Sequence, residues 1–93
     1  MKNGRWFVNQ IEVLIPKFEE KCNQLMISTR YGFTRREAEI LVLSCYDIEV
    51  EAIANIIHRT RCTVLKHREN AIKKTPFNTL MHIATVIWPY INK

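Results

Sequence analysis

Between residues 5 and 28 apolar side chains return every three or four positions: Trp6, Phe7, Ile11, Leu14, Ile15, Phe18, Cys22, Leu25 and Met26. That spacing gathers them on one stripe of a helix. Pro16 falls inside the stripe. Proline has no amide donor and crowds the preceding turn, so a kink or break is expected near Ile15. Tyr31-Gly32-Phe33 then reads as a connector. A sharper start signal comes at Thr34-Arg35-Arg36-Glu37. There the Thr34 hydroxyl can accept from the Glu37 amide, and the Glu37 carboxylate can reach back to the Thr34 amide. Phe33, just before this cap, is set to pack on Ala38. The helix so opened is expected over 35–46. It buries Ile40, Leu41 and Leu43, with Cys45 a further candidate, and Asp47 marks its end.

A short helix is expected over 49–57, with Ala52, Ile53, Ile56 and Ile57 apolar. His58-Arg59 makes a tight turn, and Thr60 can cap the next helix, over 61–74. That helix has few apolar positions, Val64, Ala71 and Ile72; the rest of its surface is Arg61, Lys66, Arg68, Lys73 and Lys74 with one acid, Glu69. Pro76 stops it. Asn78 or Thr79 can cap a last helix through Leu80, Ile83, Ala84, Val86, Ile87 and Trp88 to about residue 89. The pattern therefore predicts an all-α protein, a small helix-turn-helix bundle of four helices over 31–93 with an extra N-terminal helical segment over 1–30. A short helix, a tight turn and a basic helix that buries little follow the plan of an element meant to enter a groove.

Composition narrows the picture. Ninety-three residues hold one domain with one modest core, and only two glycines and three prolines argue against many short strands. The net charge of +5 matters less than its distribution. Residues 1–36 carry seven basic and three acidic side chains, 37–51 five acidic and no basic ones, and 52–74 six basic and one acidic. A basic block concentrated in one helix is the footprint of phosphate binding, although a solvated face would look the same. No apolar run is long enough to span a bilayer, and Glu12 and Pro16 interrupt the segment after the basic start, so neither a membrane span nor a signal peptide is expected. Three widely spaced cysteines, Cys22, Cys45 and Cys62, read as reduced thiols of a cytoplasmic protein.

The stretch from Phe33 to Lys74 resembles the LuxR/GerE-type helix-turn-helix domain. Phe33-Thr34-Arg35-Arg36-Glu37-Ala38-Glu39-Ile40-Leu41-Val42-Leu43 is close to the family's opening pattern. Ile53-Ala54 falls at its isoleucine-alanine, and Thr63-Val64 with His67 and Asn70 matches threonine-valine-x-x-histidine-x-x-asparagine, with the spacing between the three parts kept. The resemblance covers a little under half the chain. It implies a four-helix bundle whose third helix enters the major groove of DNA, and a last helix that makes a dimer contact. It places base and phosphate contacts on Arg61, Thr63, Leu65, Lys66 and Glu69. Four departures bear on DNA affinity rather than on fold: Leu65 and Leu80 stand where the family has lysine and arginine, and Glu49 and Glu51 flank the start of the scaffold helix. Leucine can touch a thymine methyl and glutamate can accept from cytosine N4, but neither helps with phosphate. With no counterpart of a sensor domain, the resemblance implies a stand-alone form controlled by its abundance or by a partner.

The function expected is a transcription regulator that binds double-stranded DNA as a homodimer on a two-part site. Arg61, Thr63 and the nearby lysines, Lys73 among them, would hold phosphate. Leu65, Lys66 and Glu69 would read bases, and Leu80, Ile83, Val86, Ile87 and Trp88 would form the dimer contact. RNA polymerase or another regulator is a further partner to expect. The alternative is a module of the same fold that binds protein instead. Trp6, Phe7, Phe18 and Trp88, in the two terminal helices, fit either an ordinary core or a partner surface. No catalytic site is expected, because His58, His67 and His82 are spread over three elements and nothing in their spacing sets up a triad, and Glu37 and Glu39 suit the start of a helix dipole. Nor are a cofactor or a metal: His58, Cys62 and His67 are separated by the turn.

Overall fold

The computed structural model describes Ile11 and residues 15–92. Trp6, Phe7 and Leu14 of the expected first helix, the basic start at 1–5 and Lys93 lie outside these residues. Among the described residues there are five helices and no strands: α1 (Phe18–Ser28), α2 (Arg35–Cys45), α3 (Val50–Ile57), α4 (Arg61–Lys73) and α5 (Leu80–Ile91). The protein is a small all-α bundle. None of the helices described is long and apolar enough to cross a membrane.

The break expected near Ile15 falls at Pro16 and Lys17. Ile15 still donates its amide to the Ile11 carbonyl, Lys17 then turns left-handed with φ 61°, and α1 starts afresh at Phe18. α2 opens with the capping box read from the sequence. The Glu37 amide donates to Thr34 Oγ1 at 3.2 Å, and the Thr34 amide donates to Glu37 Oε1 at 3.0 Å. Phe33 and Ala38 are both buried beside this cap. Ile40, Leu41, Val42 and Leu43 are all fully buried. Four consecutive buried positions cover every side of a helix, so α2 is the central rod and not an amphipathic surface helix. It packs against each of the other four helices.

The ends of α2 and α3 are built alike. Asp47 and His58 take left-handed backbone with φ 61° and 59°. The Ile48 amide donates back to the Leu43 carbonyl and the Arg59 amide to the Ala54 carbonyl, while Asp47 and His58 donate to Ser44 and Asn55. These paired bonds are Schellman closures, which satisfy the last carbonyls of a helix and turn the chain sharply. The second closure makes the turn into α4 only three residues long, with Thr60 Oγ1 accepting from the Thr63 amide. α4 ends where Thr75 Oγ1 donates to the Ile72 carbonyl ahead of Pro76. Thr79, and not Asn78, caps α5 by accepting from the His82 amide. α5 continues past Pro89 to Ile91, because a proline in the last turn removes one amide without ending the helix. Lys21 Nζ donates to the Ile91 carbonyl at 2.6 Å, a cation at the negative end of α5.

All five helices feed one core. Phe18, Cys22 and Leu25 of α1 and Ile83, Ile87 and Ile91 of α5 close on α2 from two sides; Ile53, Ala54 and Ile57 of α3 and Val64 and Ala71 of α4 complete it. The pair Glu37–Lys74 locks this arrangement. Glu37 is 4 % exposed, and Lys74 Nζ reaches its Oε1 at 2.7 Å and the Gly32 carbonyl at 3.0 Å. Burial pushes the Glu37 carboxyl upward, but the Lys74 ammonium, the Thr34 amide and the nearby His67 outweigh it, holding the carboxyl below its ordinary range. The start of α2 is thereby tied to the end of α4.

Candidate nucleic-acid interface

α4 presents the only strongly basic helix face among the described residues, and its phase follows from two anchors. Val64 and Ala71, seven apart, are fully buried and hold the helix against the rest of the core. The opposite side is then the stripe Cys62, Lys66, Glu69 and Lys73, all exposed. Leu65, Arg68 and Ile72 lie half-buried along its flank. Together with Glu69, Lys73, Thr75, Phe77 and Asn78 they line an open groove of about 510 Å³.

The expected contact residues do not all have the same freedom. Lys66 is exposed and meets no carboxylate among the described residues. Arg61 is exposed, yet its Nη1 lies 3.1 Å from Glu51 Oε2 in the first turn of α3. Thr63 is half-buried; its amide donates to Thr60 Oγ1, and the two hydroxyls lie 3.1 Å apart, so part of its polar capacity serves the cap. Glu69 and Lys73 face each other one turn apart at 4.0 Å. Leu65 sits half-buried on the groove wall. Thus Lys66, Glu69 and Lys73 share one stripe, Leu65 borders it, and Arg61 and Thr63 lie at the helix start.

Sequence reasoning misses two features of this surface. Arg68 joins the groove, its Nη1 reaching Ser44 Oγ at 3.5 Å, although the spacing 61, 68 and 72 carries the signal for which flank it takes. The pairing of Glu51 with Arg61 joins residues ten apart across a turn, and no helical periodicity reveals that.

Of the residues expected at a dimer contact on α5, Ile83 and Ile87 are fully buried in the chain's own core. The helix turns Met81 (79 % exposed), Ala84, Thr85 and Trp88 (37 % exposed) outward instead. These four border a shallow depression with Cys45, and the Trp88 ring leans on Tyr46 with centroids 5.3 Å apart. Leu80 and Val86 are half-buried.

The three thiols differ sharply. Cys22 is fully buried and Cys45 half-buried, and burial pushes both thiols up to about 12, with Glu39 and Asp47 adding to it respectively. Cys62 alone is exposed, on the outward stripe of α4.

Compared with protein-family models, curated proteins and solved structures, the chain matches none. The resemblance to the LuxR-type domain accordingly rests on the residues quoted from 33–74.

Proposed function

We propose that this chain is a cytoplasmic transcription regulator that binds double-stranded DNA, with α4 as the helix that enters the major groove. The observation that carries this reading is the economy of α4's burial. Val64 and Ala71 suffice to seat the helix behind a three-residue turn, leaving Lys66, Glu69 and Lys73 on one outward stripe. Side chains in the N-terminal half of such a helix reach base edges, and Lys66 can donate to guanine O6 or N7. Arg61 at the helix start is suited to phosphate, where the positive end of the helix dipole also points.

A homodimer fits this reading, because two-part DNA sites are matched by two-fold proteins. The face that suits it is Met81, Ala84, Thr85 and Trp88, an uncharged patch in a chain of net charge +5. That same patch favours the second reading, a protein-binding module of this fold. A salt-dependent titration on duplex DNA separates the two. A phosphate-binding protein loses affinity steeply as salt rises, with a log–log slope of about −0.9 per phosphate neutralised. Lys66→Ala should weaken a preferred site more than random DNA, whereas Arg61→Ala should weaken both about equally. No binding at low salt defeats the DNA reading.

A further inference from the structure

We propose that Glu51 is an internal competitor of the DNA phosphate backbone for Arg61, and so sets how strongly the α4 face holds any polyanion. The inference rests on the DNA reading above and adds a control to that same surface.

Arg61 is the first residue of α4 and Glu51 the second of α3, and the Schellman closure at His58 turns the chain so that their side chains meet. The guanidinium and carboxylate meet at 3.1 Å with both side chains well exposed, 57 % and 68 %. An exposed pair of this kind contributes little to stability, because water and salt screen it and both side chains lose freedom. Its consequence for an incoming anion is larger. A phosphate that takes Arg61 must either displace the carboxylate or share the guanidinium with it, and in both cases sits close to its negative charge.

The other cations of 59–74 differ in their partners. Lys74 is spent on Glu37 and Lys73 faces Glu69, while Arg59 donates to the His58 carbonyl and Arg68 to the Ser44 hydroxyl. Lys66, in the middle of the outward stripe, meets no carboxylate among the described residues. Arg61, suited to a sequence-independent phosphate contact, is thus paired within the chain, while Lys66, suited to a base edge, is not. Glu51 holds back binding that depends on backbone charge alone.

The test is a double-mutant cycle on a 20-base-pair duplex of random sequence at low salt, using full-length chain. Glu51→Gln keeps the shape and removes the charge; it should tighten binding about three- to tenfold and steepen the salt slope by up to about one unit. In an Arg61→Ala background the same substitution should gain little. A Glu51→Gln protein that binds as the parent does, or a gain that persists undiminished without Arg61, overturns the inference while leaving the DNA reading in place. If neither parent nor Glu51→Gln binds at low salt, the DNA reading itself falls and takes the inference with it. A parent that binds weakly beside a Glu51→Gln protein that binds several-fold more tightly supports both. Thermal melting of each variant checks that it is folded, as expected for changes at two exposed positions.

Discussion

Replacing Lys74 by methionine isolates the lock between α2 and α4. Methionine keeps the aliphatic stem, so the change removes the ammonium and little packing. The loss is the contact at 2.7 Å to Glu37 Oε1 and the one at 3.0 Å to the Gly32 carbonyl. Glu37 stays behind at 4 % exposure with only the Thr34 amide and the more distant His67 to offset its charge. Removing one partner of a fully buried pair costs about 3–5 kcal/mol. Lys74 keeps a third of its side chain in water, which lowers the figure to about 2 kcal/mol. For a domain of this size that is a fall in Tm of about 8–15 °C. The pH dependence follows from the direction of the Glu37 shift. A carboxyl held below its ordinary 4.5 in the folded state contributes stability that is fully present above that value and is lost as pH falls through the lower, folded one. The gap between parent and Lys74→Met should therefore be widest near neutrality and shrink below about pH 4. Thermal melts followed by circular dichroism at pH 7 and pH 3 measure both. Equal Tm values at pH 7, or a gap unchanged at pH 3, would refute the reasoning.

Thr34→Ala removes the hydroxyl that accepts from the Glu37 amide and should cost roughly 0.5–2 kcal/mol in denaturant unfolding, without altering the exposure of α4. Leu41→Ala, at the fully buried centre of α2, should cost about 2–5 kcal/mol by the same measurement, because every side of that helix is packed and the cavity cannot collapse. A small thiol reagent at pH 8 should modify Cys62 first and Cys45 more slowly, with Cys22 reacting only as the protein unfolds, and mass spectrometry of the folded chain over time reads the count. If α5 supplies the dimer contact through its outward face, Trp88→Lys should shift sedimentation towards monomer at micromolar concentration, and an unchanged profile would count against that face.

The helices and their starts are legible in the sequence because they rest on local chemistry. Thr34 with Glu37, Thr60 and Thr79 each act within three residues, and such short-range hydrogen bonds are written in the spacing. The central position of α2 is less legible. Val42 completes a run of four buried residues, and that run means a buried helix only when four neighbours surround it. Ile83 and Ile87 point to a dimer contact in the sequence because apolar periodicity gives a face but not its occupant; here the occupant is the chain's own core, where α5 packs on α1 and α2. For the same reason the phase of α4 can be read from Val64 and Ala71, whereas the ion pairs Glu51–Arg61 and Glu37–Lys74 cannot, since each joins residues that only the tertiary fold brings together.

The residue ahead of α1 and the three joints between the first four helices have a consequence for thermal tolerance. Lys17, Arg30, Asp47 and His58 all sit near φ 60°, in backbone territory that glycine enters freely and other L-residues enter at a cost of about 1–2 kcal/mol each. Asp and His bear it better than Lys and Arg. Glycine at Lys17 or Arg30 would relieve that cost, offset in part by the extra freedom of the unfolded chain, for a net gain of up to about 1 kcal/mol per joint. A heat-resistant form of this protein is therefore two surface substitutions away in principle, and neither touches the core or α4. At His58 the same exchange would keep the turn between α3 and α4, because the bonds that close it, from the His58 and Arg59 amides to the Asn55 and Ala54 carbonyls, belong to the backbone alone.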